Sequence, residues 1–440
     1  MTSRVYSRES ENWVAPRATS PLCAVVPIPG SKSLTNRELV LAALSDGPSV
    51  IHRPLRSRDS ALMVAALGQL GVECGDSLSA GSDTLSVIPA QLTGDVTIDC
   101  GLAGTVMRFV PPLAALAKGP VTFDGDDGAR LRPMATTIDS LRKLGVEVDD
   151  NARGTLPFTV RGTGLVVGGE ISIDASQSSQ FVSGLLLVGS RFSNGLTLRH
   201  TGEHLPSMPH IEMTVACLRA RGVIVTEPGR GVWRVEPGPI SGIDIDMEPD
   251  LSNAAPFLAA ALIAGGTVTI PHWPRTTTQV GDDLGRYFEE FGAQVTRGDR
   301  GLTVDGGAGV LGGRPIRGVT FDLSTGGELA PSLIALATLA TTPSTFTGIA
   351  HLRGHETDRL RALVTEINRL GGNATELSDG VHIEPSALHG GSWQSYHDHR
   401  MATAGAIIGL AVDGVDVDNI GTTAKTLPDF PAMWAAMLES

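Results

Sequence analysis

Six segments of the chain repeat one pattern: small polar or charged residues, an apolar run long enough for a helix, a Gly or Thr turn, and a short β-like run. They occupy residues 34–54, 104–126, 178–200, 251–273, 327–349 and 398–420. Their starts are 70, 74, 73, 76 and 71 residues apart. A second series of more amphipathic helices lies between them, at 61–74, 134–148, 211–225, 280–295 and 359–374. Each of these ends in a glycine: Gly71, Gly145, Gly222, Gly292 and Gly371. Glycine suits the position after a helix, where φ is often positive. The sixth such helix, at 429–440, reaches the end of the chain, so the segment before Pro29 is expected to supply its return strand.

Two interleaved series with one period predict six α/β units, three to a domain. A chain of 440 residues exceeds one ordinary core, which also argues for two domains. The first helices are apolar almost all round (LAAALIAGG, SLIALATLA) and should be buried, while the second carry charge and should face solvent. Pro111 and Pro112 fall inside the second apolar helix. A mid-helix proline costs about 3 kcal/mol, so a kink or a late start is expected there.

Equivalent helix starts fall at equivalent places, and each carries unpaired N–H groups and partial positive charge. Several such ends aimed at one gap would trap anions. The residues at these starts fit that use. The first copy has Pro29-Gly30-Ser31-Lys32-Ser33 and then Arg37; the second has Gly104-Thr105 and then Arg108. The third has Ser178-Ser179-Gln180, the fourth Asp250, Ser252 and Asn253, the fifth Glu328, and the sixth Asp398-His399-Arg400. Ser, Asp and Asn are ordinary caps. Lys32, Arg37 and Arg400 are not, because a cation beside a positive helix end calls for a negative ligand.

The net charge of −13 and 4% aromatic content argue against nucleic acid and against a non-catalytic clamp on a polyanion. Any anion must be held by a local basic cluster. Lys32 follows Ser31, so the glycine turn does not match the phosphate loop of nucleotide hydrolases. The four cysteines form no CxxC pair and read as reduced thiols. His351/His355 and His397/His399 lack the partners of a metal motif, so no metal is expected. Residues 1–20 show no signal-peptide core and no apolar run approaches a membrane span, so a cytoplasmic protein is expected.

Seven motifs stand in order: PGSKSLTNR (29–37), AGTVMR (103–108), LRP (131–133), SSQF (178–181), HETDR (355–359), DHRMA (398–402) and TAKTLPDF (423–430). In these the chain, from Pro29 onward, resembles the 5-enolpyruvylshikimate-3-phosphate synthases. The resemblance implies an α/β fold of two domains, each of three βαβαββ repeats, an inside-out α/β barrel. It implies one domain at 1–29 plus 248–440, another at 30–247, and an active site in the cleft between them. The implied reaction moves the enolpyruvyl group of phosphoenolpyruvate to the 5-hydroxyl of shikimate 3-phosphate through a tetrahedral intermediate, with loss of phosphate. It uses no metal or cofactor, and its partners are these two small substrates, on a monomer.

By resemblance, Lys32, Ser33, Arg37, Ser178, Ser179, Gln180, Ser207, Glu328 and His355 would bind shikimate 3-phosphate. Lys32, Gly104, Arg132, Gln180, Arg359, Arg400 and Lys425 would bind phosphoenolpyruvate. Glu328, Glu356 and Lys32 would be catalytic, the two carboxylates as proton carriers. Sensitivity to glyphosate is implied through Gly104. The chain departs from the family with Glu328 in place of a frequent Asp and His355 in place of a frequent Lys. It also has Leu102 for Asn, and Met208 and His210 for Lys and Tyr. With His355, phosphate binding would weaken as pH rises and the imidazole loses its proton. The sister enzyme acting on UDP-N-acetylglucosamine carries a reactive Cys in a loop that here reads GDDGARLRP (125–133), without one.

Overall fold

Six helices that are buried nearly all round organise the fold. The computed structural model describes residues 12–75 and 84–440. The polar stretch 1–11, part of the segment expected to join the later domain, lies outside them. Chain contacts divide the protein into two compact units, Pro29–Glu248 and Met1–Ile28 with Pro249–Ser440.

In the Pro29–Glu248 unit the helices α1 (Lys32–Ala43), α2 (Gly104–Ala114) and α3 (Gln180–Gly189) pack against one another. All 11 residues of α2 are buried. In the other unit α4 (Leu251–Ala264), α5 (Ala330–Ala337) and α6 (His399–Ala411) do the same. All 14 residues of α4 and all 8 of α5 are buried. Helices without a polar face must be enclosed, and here each trio forms the centre of its own apolar core. Among the described residues no helix is long and apolar enough to cross a membrane.

Among the described residues six small sheets surround these helices, and each contains one parallel strand pair. Around α2, α3, α5 and α6 the pair is local. Val96–Asp99 lies beside Lys118–Asp124, Gly169–Ile173 beside Leu196–His200, Thr320–Asp322 beside Ser344–Thr347, and Gly391–Trp393 beside Val415–Val417. Around α1 and α4 the leading strands are exchanged. Leu22–Val25 precedes α1 but pairs with Gly266–Ile270, after α4. Asp244–Asp246 precedes α4 but pairs with Ser49–His52, after α1. This exchange makes one unit discontinuous in sequence. The missing strand of the sixth repeat is Trp13–Val14, antiparallel to Val415–Val417, so the segment before Pro29 does supply it.

The second helices are Arg58–Gln69, Ala135–Lys143, Met208–Ala220, Leu284–Phe291, Arg359–Arg369 and Phe430–Leu438. The five glycines that close the first five all have positive φ: 96°, 83°, 83°, 106° and 84° in chain order. That backbone region costs a side chain and is nearly free for glycine. Of the two outcomes expected from the prolines, a kink or a late start, the second does not occur. Helix α2 starts at Gly104 and runs through both Pro111 and Pro112, so there is no late start. Pro112 has no N–H to offer the Arg108 carbonyl. Gly184 of α3 lies against that oxygen so closely that a Cβ would sit 2.3 Å from it. Tight burial between helices offsets the proline cost. A buried ion pair, Arg221 to Glu38 at 2.8 Å, fixes the end of Met208–Ala220 to α1.

Candidate active site

The first turns of α1, α2 and α3 meet. Ser31 caps α1, its hydroxyl accepting from Leu34 N at 3.4 Å. Asn36 Nδ2 donates to Thr105 Oγ1 at 2.7 Å, joining α1 to α2. Arg37 Nη2 donates to Ser183 Oγ at 3.3 Å, joining α1 to α3. A Cβ on Gly104 would stand 3.2 Å from Arg108 Nη1, 3.2 Å from Gln180 Oε1 and 3.3 Å from Arg132 Nη1. The starts of α2 and α3 and the 131–133 loop therefore converge on one glycine.

Lys32 Nζ lies 3.7 Å from Asp59 Oδ2. Ser33 gives its carbonyl to Arg37 Nη1 at 2.8 Å. Ser178 Oγ accepts from Gln180 N at 3.3 Å, and buried Ser179 opens α3 without a side-chain cap. Ser207 holds the left-handed conformation (φ 54°) at the start of Met208–Ala220. Arg37 is 2% exposed and also donates to Thr214 Oγ1 at 2.8 Å and the His210 carbonyl at 2.9 Å. It ties three helices together as much as it offers charge. Arg108 lies over the Phe181 ring at 5.5 Å and donates to the Gly104 carbonyl at 3.3 Å. Arg132 has one long contact, 3.5 Å to the Leu102 carbonyl, and a buried Nε without a partner.

In the other unit the arrangement is repeated with different side chains. Asp250 and Asp398 cap α4 and α6. Arg400 donates to the Ser252 carbonyl at 2.9 Å and to Ser252 Oγ at 2.6 Å, joining the two starts. Arg359 donates from Nε and Nη2 to Asp398 at 2.7 and 3.1 Å, and from Nη2 to Glu356 Oε2 at 2.9 Å. Its Nη1 is 3.3 Å from His355 Nδ1. Lys425 Nζ bonds the other Glu356 oxygen. Glu328 stands in the short turn Gly327–Leu329 before α5, and its charge bears on Arg359. Asn253 Nδ2 reaches the Thr426 carbonyl at 3.3 Å, fixing the segment behind Lys425 to α4.

The electrostatics divide these cations into two kinds. Burial pushes the Glu356 carboxyl up, but Lys425, then Arg359, His399 and His355 hold it well below the usual range. Burial works against the charged form of Arg359, yet Asp398 and then Glu356 raise its pKa. Arg400 is 7% exposed, and among the described residues no carboxylate pairs with it. Arg132 likewise has no carboxylate partner among them. Arg400, buried at a positive helix end with only neutral acceptors, is costly unless an anion completes it, and Arg132 is half-buried in the 131–133 loop beside the start of α2. That arrangement suits binding of phosphate or carboxylate, which a guanidinium grips with two parallel donors.

The residues expected from sequence thus fall into two sets. Lys32, Ser33, Arg37, Gly104, Arg132, Ser178, Ser179, Gln180 and Ser207 belong to the Pro29–Glu248 unit. Glu328, His355, Glu356, Arg359, Arg400 and Lys425 belong to the other. Sequence reasoning did not single out Asp59, the acid nearest Lys32, or Asp398 as the holder of Arg359. It also passed over Arg56, whose Nη1 and Nη2 are buried without a partner. The signal was present in Leu55-Arg56-Ser57-Arg58-Asp59, a charged run at a helix cap.

A family model for EPSP synthase (3-phosphoshikimate 1-carboxyvinyltransferase) matches residues 16–434. The chain belongs to the EPSP synthase family. A relative in this family, named 3-phosphoshikimate 1-carboxyvinyltransferase, from Kocuria rhizophila, is 56% identical over 440 residues, covering 98% of each chain. Two solved structures of EPSP synthase from Acinetobacter baumannii superpose with a TM-score of 0.80 each. They are 22% and 21% identical and cover 97% and 98% of this chain, and 98% of theirs. At that identity the likeness speaks for the two-domain enolpyruvyl transferase fold alone.

Proposed function

We propose that this member of the EPSP synthase family transfers the enolpyruvyl group of phosphoenolpyruvate to the 5-hydroxyl of shikimate 3-phosphate and releases phosphate. The reaction serves the shikimate pathway toward chorismate and the aromatic amino acids. The observation that supports it on this chain is the set of cations at the buried helix starts, with Arg400 and Arg132 lacking any carboxylate partner among the described residues. In this reading Arg132, Arg359, Arg400, Lys425 and Lys32 neutralise phosphoenolpyruvate, with Gly104 and Gln180 shaping its place. Lys32, Ser33, Arg37, Ser178, Ser179, Gln180, Ser207, Glu328 and His355 hold shikimate 3-phosphate. Glu328 takes the proton of the attacking hydroxyl as its oxygen bonds to C2, while Glu356 supplies C3; Lys32 stabilises charge at the reacting centre. Elimination reverses the C3 proton step as the C–O bond to phosphate breaks, and the departing phosphate takes up the proton that Glu328 received from the hydroxyl, which restores both carboxylates. Both residue sets serve this one reaction. A monomer in the cytoplasm, with no further partner, belongs to the same proposal.

The test is phosphorus NMR of purified protein with substrates. The reading expects inorganic phosphate to appear, one per phosphoenolpyruvate consumed, only when shikimate 3-phosphate is present. Phosphate release from phosphoenolpyruvate alone, or none with both, contradicts it.

A further inference from the structure

Glu356 holds the very donors that the functional reading gives to phosphoenolpyruvate. Lys425 Nζ bonds one carboxylate oxygen, and Arg359 Nη2 lies 2.9 Å from the other. His355 Nδ1 is 4.0 Å from that second oxygen. Arg359 has two acidic neighbours of different character. Asp398 is 0% exposed, caps α6 and receives two Arg359 donors, so it is fixed. Glu356 is 10% exposed and sits in the connection between the turn Ala350–Gly354 and the helix Arg359–Arg369. It is the acid that can yield its place.

We propose that Glu356 is an internal stand-in for the substrate anion, and that an oxyanion arriving at Lys425 and Arg359 displaces it and causes it to take up a proton. The inference rests on the functional reading for its purpose, since the proton taken up is the one delivered to C3. The charged groups around Glu356 are Lys425, Arg359, His399 and His355, with Asp398 and Glu328 acting on Arg359. Lys425 and Arg359, with smaller contributions from His399 and His355, outweigh burial and hold the Glu356 carboxyl well below its usual range. An oxyanion neutralises the two nearest of them. Burial and the new negative charge then act in the same direction, both favouring the protonated acid. The proton comes from solvent. It passes to C3 as the C2=C3 electron pair takes it, and the carboxylate recovers it when C3 is deprotonated in elimination, so the cycle balances. Substrate binding itself arms the acid, and in its absence the site holds a base.

Titration calorimetry in buffers of different ionisation enthalpy near neutral pH counts the protons. The probes are sulfate, which does not titrate there, and phosphoenolpyruvate without shikimate 3-phosphate. Wild-type protein is expected to take up protons with both, and Glu356→Gln to lose that uptake. The variant is also expected to bind both anions about tenfold more tightly, because one charge-assisted contact no longer opposes binding. Anion binding without proton uptake, or equal uptake in the variant, overturns the inference while leaving the functional reading intact. Failure of both anions to bind wild-type protein overturns the inference, while the functional reading stands or falls on phosphate release with both substrates.

Discussion

Arg359 and Asp398 form a two-pronged buried pair, with Nε to Oδ2 at 2.7 Å and Nη2 to Oδ1 at 3.1 Å. The same Asp398 accepts from the Arg400 backbone N–H at 2.8 Å. One carboxylate thus orients two arginines at the start of α6. Asp398→Ala leaves a buried guanidinium with less compensation and is expected to cost about 3–5 kcal/mol of stability. Urea unfolding checks it; a loss under about 1 kcal/mol contradicts the structural weight given to the pair.

Gly104→Ala places a methyl group 3.2–3.3 Å from Arg108, Gln180 and Arg132 side-chain atoms. These are the ends of flexible side chains, so the protein should fold, but the guanidinium of Arg132 must move. The Michaelis constant for phosphoenolpyruvate and the inhibition constant for glyphosate are both expected to rise about tenfold. Unchanged constants would show that the space at Gly104 is unrelated to ligand.

At Gly184 the obstacle is backbone. A Cβ there meets the Arg108 carbonyl at 2.3 Å, and neither helix can give way inside the core. Gly184→Ala is expected to destabilise by about 1–3 kcal/mol. Because α2 and α3 carry Gly104 and Gln180 at their starts, both Michaelis constants should move with it. Thermal unfolding and steady-state kinetics together check this.

The pH dependence of stability has a definite sign. Glu356 is held well below its ordinary value in the folded protein, so its contribution is complete above the unfolded-state pKa and is lost as pH falls through the folded one. The stability difference between wild type and Glu356→Gln should stay flat from neutral pH down to the ordinary carboxylate range and shrink only below about pH 4. A decline already between pH 7 and 5 contradicts the ion-pair assignment.

Much of this was legible in the chain. The period of about 73 residues reflects repeated α/β units, and the five closing glycines each required positive φ. The strand expected from the segment before Pro29 is Trp13–Val14, paired with Val415–Val417. What periodicity could not supply was long-range pairing. Nothing local shows that Leu22–Val25 and Asp244–Asp246 exchange places. The double proline in α2 does not delay the start of its helix, which packs against Gly184, over 70 residues away. In the site, charge and position marked Lys32 and Arg400, and the motif resemblance marked Arg132 and Arg359, but neither showed how each is held. Asp398 and Asp59 look like ordinary helix-start acids in sequence. Only their approach to Arg359 and Lys32 distinguishes them.

Arg400 most directly carries the claim that cations gathered at buried helix starts hold phosphoenolpyruvate. Its kinetics are best measured in Arg400→Ala with both substrates varied, on protein shown to be folded by circular dichroism. The Michaelis constant for phosphoenolpyruvate should rise by about thirtyfold or more, the weight of one buried charged contact, while that for shikimate 3-phosphate changes little. Equal shifts in the two constants, or none in either, would contradict the account.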